Sequence, residues 1–333
     1  MQEKYIKQWT APIQVECTHQ KAPKLSVEEQ IKHLSENHGI SFTIKGVEHA
    51  KDFLAYNNYY HKIKSYSQNF STYTKQEHPS YGKFCDLDFE YLVELSVIDM
   101  YLRRMIIKMS LDIEHFLKVQ MINDITENEE EDAYNIAEKY LSFVSEEKRK
   151  EILEKLNNYY CGRYNHHSLI DIPAWELVEI LSFGDFIAFY ELYYSYYPNN
   201  NSLVNNLKPV QWLRNAAAHN NCIINDLTVP SEPIFEVNKK ANTFVSKIKG
   251  ISATAREKKM SNRSVHDFVV MLYVYNKVVS SEKVRVPAME ELKNFVDGRM
   301  RLNKHYFVKN ALLQSNYDFF KKIVDYCASN VVY

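Results

Sequence analysis

The chain has 333 residues, enough for a large core, with 45% hydrophobic and 25% charged residues, an ordinary globular balance. Its net charge of −1 does not by itself mark a nucleic-acid binder, and its seven glycines lie far below the usual share of about 7%. Hairpins and phosphate-cradling loops both consume glycine, so this scarcity excludes a Walker-type or dinucleotide-binding loop and favours helices joined by short polar turns.

Residues 1–25 carry two prolines and little periodicity and read as an irregular arm. Ser26-Val27-Glu28-Glu29 forms a capping box that opens a short helix stopping near Gly39. A second helix is predicted from Val47 to Asn58, followed by an aromatic segment to Phe70 and a loop over 71–86. The longest helix is predicted over Asp86–Ile125. There Leu95, Ile98, Leu102, Met105, Met109, Ile113, Phe116 and Val119 or Gln120 recur in steps of three and four and trace one face. Further helices are predicted at 132–142, at 145–161 behind Ser145, and at 173–197, with Ser182-Phe183-Gly184 as a dividing point. Pro209 is read as the opening residue of a short helix ending at His219. Residues 222–238, with Pro230 and Pro233, read as a linker, and helices follow at 240–258, 264–281, 287–302 and 306–329.

The N-terminus lacks the apolar stretch of a secretory signal, and no run of 18 apolar residues marks a membrane span. Cys17, Cys85, Cys161, Cys222 and Cys327 form no CxxC pair and no local Cys/His cage. Buried thiols in a reducing cytoplasm are expected, with no metal and no cofactor.

One constellation carries chemistry: Arg214-Asn215-Ala216-Ala217-Ala218-His219. In a helix Asn215 and His219 share a face, and Arg214 lies about 140° from His219 around the axis. A histidine with an unperturbed pKa of about 6.5 can move a proton at neutral pH. A guanidinium can grip phosphate oxygens with two bonds and stabilise charge developing on phosphorus. RNA brings its own nucleophile, the 2′-hydroxyl, so Arg214 and His219 are a sufficient minimum, with Asn215 free to orient the imidazole or touch the phosphate. The three alanines leave room for a second helix to approach. By itself the pattern is weak, because Arg-x4-His recurs by chance in helical proteins.

These residues, with others before them in order, resemble the Abi-like (abortive infection, AbiD and AbiF) bacterial proteins, a branch of the HEPN superfamily. The resemblance runs over about 26–225. It is carried by Leu34 to Ile40, Ala50-Lys51-Asp52-Phe53-Leu54 and Asn58-Tyr59-Tyr60. Further on it takes in Ile98-Asp99-Met100-Tyr101-Leu102-Arg103 with Ile113-Glu114, Pro173-Ala174-Trp175-Glu176, Leu181-Ser182-Phe183-Gly184 and the Arg-Asn-x-x-x-His helix. It implies an all-α HEPN bundle that dimerises to bring two Arg/His pairs into one cleft. It further implies metal-independent endoribonuclease activity, a role in phage defence or as a toxin, and an RNA partner such as a small structured antitoxin RNA. The expected organisation is an arm (1–25), an Abi-like HEPN domain (26–225) and a C-terminal helical extension packed on it (226–333).

Asp99 and Arg103 form an i,i+4 pair, and Glu114 lies about three turns further along the same helix. They read either as a structural ladder or, for Arg103 and Glu114, as supports that orient His219. Glu236–Arg263 holds eight basic residues against two acidic ones, and Lys239, Lys240, Lys258 and Lys259 are candidate RNA-phosphate contacts beside the cleft. A plain solvated surface is the alternative for that run. The cluster Tyr193, Tyr194, Tyr196 and Tyr197 fits core packing better than base stacking. His61, His166 and His167 read as surface histidines. Two functions remain open: the ribonuclease, or a non-catalytic RNA-binding or assembly module in which the Arg/His helix only holds a dimer together.

Overall fold

A computed structural model describes residues 23–156, 159–162, 171–199 and 202–329; the predicted arm and His166-His167 fall largely or wholly outside these. The chain is all-α. Among the described residues no strand forms, and two isolated bridges, Ser41 with Asp88 and Thr72 with Phe84, pin the loop before the long helix. No helix among them is long and apolar enough to cross a membrane.

Helix α1 (Val27–Glu36) begins as its capping box predicts: Ser26 Oγ accepts from the Glu29 amide at 3.2 Å, and the Glu29 carboxylate accepts from the Ser26 amide at 2.6 Å. Helix α2 (Gly46–Tyr56) follows, and the aromatic segment is a short helix α3 (Tyr60–Ser65) running into a 3-10 turn over Tyr66–Asn69. Helix α4 (Phe89–Thr126) has 38 residues and spans roughly 57 Å at 1.5 Å per residue. Its N-cap Asp88 accepts from the Glu90 amide and also holds Ser41 and Thr43. The apolar stripe follows the prediction as far as Ile113. It then continues through Leu117, Met121 and Ile125, while Val119 stands exposed. A straight helix drifts from an exact three-four alternation, which moves the stripe by one position near its end.

The N-terminal half of α4 buries acids as well as apolar residues. Glu94 accepts from Arg299 and Asn303, and Asp99 is fully buried. Each acid ties a different distant segment to the same helix.

Helices α5 (Asn135–Phe143), α6 (Glu146–Leu156), α7 (Tyr159–Gly162), α8 (Ala174–Ile180) and α9 (Phe183–Tyr196) complete the first part. Ser182 caps α9 and divides it from α8, as its position between two apolar runs predicts. Tyr193 and Tyr194 are buried in the core, Tyr197 is half-buried and Tyr196 is exposed.

Helix α10 (Val204–Ala218) starts five residues earlier than its proline predicts, so Pro209 lies inside it. A proline there removes the amide that would bond the carbonyl four residues back, that of Asn205. Asn238 repairs the loss: its Nδ2 donates to Asn205 O at 3.1 Å. Helix α14 likewise starts at Glu282 with Pro287 inside it.

The C-terminal helices are α11 (Lys239–Ser246), α12 (Ala253–Met260), α13 (Arg263–Val278), α14 (Glu282–Asp297) and α15 (Ala311–Ser329), with 3-10 turns at Arg299–Arg301 and Lys304–Phe307. Gly250, with φ +82°, separates α11 from α12 where one continuous helix was predicted. Helix α13 packs against both α10 and α4, and one apolar core runs from Ile31 to Cys327. Cys327 is buried, which pushes its thiol up to about 12, whereas Cys85 and Cys222 are only half-buried.

Candidate functional site

Helix α10 ends at its motif. His219 is the C-cap, and the left-handed Asn220 (φ +56°) reverses the chain. The Asn221 amide then bonds Ala216 O at 2.8 Å and the Asn220 amide bonds Ala217 O at 3.1 Å, the paired bonds of a Schellman motif. Asparagine is the commonest substitute for glycine at such a position, because its short polar side chain tolerates the left-handed region. The turn satisfies the last carbonyls of the helix without using the motif side chains.

Those side chains face outward. His219 is exposed, and Arg214 and Asn215 are half-buried one turn earlier. Arg214 Nη1 donates to Asn215 Oδ1 at 3.1 Å. Among the described residues neither hydrogen-bonds His219, which stands exposed at the helix end.

Below the turn lies a buried polar cluster centred on Asp99. Its carboxylate accepts from Tyr66 Oη at 2.7 Å, from Arg103, from the Ile223 amide at 3.1 Å and from the Ile224 amide at 3.2 Å. Burial pushes the Asp99 carboxyl up, and these four donors pull it back down. Asn69, also buried, donates to Ile224 O and Asn225 O at 2.9 Å each and accepts from the Leu227 amide at 2.9 Å. Asn262 Nδ2 bonds Asp226 O and Thr228 O. The segment after the motif has no sheet neighbour, so side-chain amides and one carboxylate take the place of a strand partner.

Lys62, on α3, closes the near side. Its Nζ donates to Asn220 O at 2.7 Å, and burial together with the nearby Arg103 charge holds its ammonium below the ordinary lysine range. Ser65 Oγ lies 3.4 Å from Cys222 Sγ. Helices α3 and α4 therefore fix the backbone on the far side of His219.

Of the predicted site residues, Arg214, Asn215 and His219 share one helix end. Arg103 joins them indirectly, through Asp99 and the chain that leaves His219. Glu114 does not: it pairs with Lys118 at 3.1 Å, roughly 16 Å further along α4, where Lys118 lies 5.9 Å from the Phe186 ring centre. Lys239 and Lys240 begin α11 at the opposite end of α10, where Lys240 Nζ lies 3.4 Å from Ser202 O. Fifteen residues of helix place them roughly 22 Å from His219, not beside it. Lys259 is half-buried, its Nζ donates to Ser315 Oγ at 2.7 Å, and burial lowers its pKa. Lys258 is exposed on the same helix.

Sequence reasoning missed Lys62, Tyr66 and Asn69. Their partners are backbone groups or residues over 30 positions away, which no local spacing can signal. Arg263, the last cation of the basic run, has its guanidinium 4.4 Å from the half-exposed Trp212 ring and 4.7 Å from Phe235, with Nε donating to Asp267 at 2.9 Å. Among the described residues no group of three or more His, Cys, Asp or Glu side chains is placed to hold a metal ion.

No curated protein and no solved structure matches the chain. A family model described as Abi-like protein matches residues 52–225, from α2 through the motif helix to the Asp99-bound segment. That span is just over half of the 333 residues, and the chain belongs to the Abi-like family.

Proposed function

We propose that the chain is a metal-independent endoribonuclease of the HEPN type, acting in abortive infection or as the toxin of a toxin-antitoxin pair. Family membership associates it with abortive infection. The observation that carries the catalytic reading is the exposed His219 at a helix end whose backbone is fixed from below, with the Arg214–Asn215 pair one turn away.

In the proposed reaction His219 takes the proton of the RNA 2′-hydroxyl. The O2′–P bond forms, the P–O5′ bond breaks, and the 5′-oxygen leaves with a proton from a second acid. Arg214 holds the non-bridging oxygens as charge builds on them. The products are a 2′,3′-cyclic phosphate and a 5′-hydroxyl. A second copy of the chain, docked over the small residues Ala216 and Ala218, would supply the second histidine and complete a composite cleft. Lys239 and Lys240 would then hold RNA some distance from the cut, and a structured antitoxin RNA would use the same surface.

Substitution of His219 tests this directly. His219→Ala is expected to lower cleavage by the 10²–10⁴ typical of a lost acid-base group while the melting temperature and RNA binding hold. Arg214→Lys should also impair cleavage, because an ammonium loses the two-pronged grip. Activity should survive EDTA and vanish on RNA whose 2′-hydroxyls are replaced by hydrogen. Unchanged cleavage in His219→Ala, or cleavage of the deoxy substrate, sinks the scheme; loss of the dimer alone would favour an assembly role.

The basic run has its own test. Reversing Lys239 and Lys240 to Glu should weaken RNA binding and flatten its salt dependence, each lost phosphate contact removing about 0.7–0.9 from the log–log slope. The same reversal at Lys258 and Lys259 should matter less, because Lys259 is committed to Ser315. An unchanged slope in the first pair would mark the run as plain solvated surface.

A further inference from the structure

On the C-terminal side of the molecule, between α11, α13, α14 and α15, lies a pocket of about 490 Å³. That is the size range of small-ligand sites. Five cations line it: Lys239, Lys240 and Lys247 from α11, Lys277 from α13 and Arg285 from α14. Its described lining includes no carboxylate, in a chain whose charges otherwise nearly cancel. Lys239 has an exposed partner in Glu236 at 3.5 Å, but among the described residues Lys247, Lys277 and Arg285 pair with no acid. Arg285 Nε is buried with no hydrogen-bond partner. An Nε held away from water is stabilised by an acceptor that reaches the guanidinium.

The rest of the lining is Thr243, Cys327, three aromatic rings and one amide. The rings of Phe244 and Tyr273 lie 5.9 Å apart, both half-buried, and Asn276 stands beside them. Cations for phosphate and ring faces for stacking are together the chemistry of a nucleotide, while Asn276 Nδ2 donates to Leu272 O at 2.8 Å. A phosphate monoester carries about −1.5 to −2 at neutral pH against −1 for a diester, and a lining with five cations and no carboxylate favours the higher charge.

We infer that this pocket binds a 5′-phosphorylated nucleotide, either free or as the terminal residue of an RNA. The pocket stands on its own geometry; only its use in presenting RNA to His219 rests on the nuclease reading.

The test uses the full chain and three probes: AMP, and a 2′-O-methyl RNA octamer carrying either a 5′-phosphate or a 5′-hydroxyl. The 2′-O-methyl groups remove the nucleophile, so binding is measured whether or not the protein cleaves RNA. The expected result is saturable binding of AMP at one site per chain. The phosphorylated octamer should bind at least tenfold tighter than its hydroxyl counterpart. Lys247→Glu with Lys277→Glu, both exposed and tolerant of change, should erase that preference and weaken AMP at least tenfold; Arg285→Gln should do the same if it folds. AMP binding without a preference between octamers identifies a free nucleotide as the ligand, and a preference without AMP binding identifies the RNA end. Absence of both, or binding that the Lys247/Lys277 reversal leaves unchanged, overturns the inference.

Discussion

Near the N-terminal end of α10 a side chain from another segment replaces a lost backbone bond; at its C-terminal end the backbone closes the helix itself. Near Val204 the carbonyl stranded by Pro209 is taken by Asn238 Nδ2, while Asn238 Oδ1 caps α11 through the Ala241 amide at 3.0 Å and accepts from Asn206 at 3.1 Å. The Asn238 amide itself bonds His266 Nε2 at 3.0 Å, which leaves the ring proton on Nδ1, 2.8 Å from Asp267. Asn238 and His266 are both spent on holding backbone there. At the other end the Schellman turn satisfies the helix carbonyls, and the groups that hold the departing chain come from α3, α4 and the turn between them, with Asn262 further along. Arg214, Asn215 and His219 are thereby relieved of holding the fold. A helix end whose support lies beneath it can present its side chains to a ligand in a fixed position.

Removing the support should break this contrast most severely. Asp99→Ala strands the Ile223 and Ile224 amides and leaves Arg103, side chain 8% exposed, as an unpaired buried charge. Breaking a buried pair from one side costs about 3–5 kcal/mol. We expect a loss of that size in chemical denaturation, and a fall in cleavage below the melting transition although Asp99 is far too buried to touch RNA. Arg103→Met with Asp99→Asn should recover part of the stability, since no lone charge remains. A loss under about 1 kcal/mol for Asp99→Ala would show that water or a shifted Tyr66 takes over the amides.

The opposite end gives a smaller effect of a different kind. Asn238→Ala removes one helix cap and orphans the Asn205 carbonyl, together about 2 kcal/mol. Because this end is about 22 Å from His219, stability should fall while the cleavage rate of the folded protein holds. Pro209→Ala in the Asn238→Ala background should restore part of the loss by supplying the missing amide. If the double variant is no more stable than the single one, the Asn205 carbonyl is not what Asn238 serves.

These two sites also mark how far the sequence could be read. The long helix, the Ser26 cap and the Ser182 division follow from periodicity and local hydrogen-bonding side chains, and the structure places them within a few residues. Proline suits a first turn, so Pro209 reads in sequence as a helix start, and the helix predicted from 287 likewise begins at a proline that the structure puts inside it. For Pro209 the group that makes it acceptable inside the helix, Asn238, lies 29 positions away and follows a linker. The motif was visible because Arg214, Asn215 and His219 are adjacent in sequence. Its support was not, since Asp99 bonds backbone amides, and amides carry no residue identity. Reading Asp99–Arg103–Glu114 as one stripe joined residues with separate duties: the first two hold the motif's exit, and Glu114 pairs with Lys118 against α9.

The smallest effect is expected at Asn220, and it separates conformation from side-chain chemistry. Its φ of +56° lies in the left-handed region, where a Cβ costs most residues about 1–2 kcal/mol and glycine nothing. Its carbonyl, which takes Lys62 Nζ, survives any substitution. Asn220→Ala should therefore lower stability by about 1 kcal/mol, while Asn220→Gly should stay within about 0.5 kcal/mol of the parent. Both leave His219 in sequence, so any change in cleavage beyond the stability loss reports on the angle at which the turn presents the imidazole. If Gly is as damaging as Ala to stability, the Asn220 side chain itself holds the turn. If both are neutral to stability yet slow cleavage, the residue beside His219 acts on the RNA.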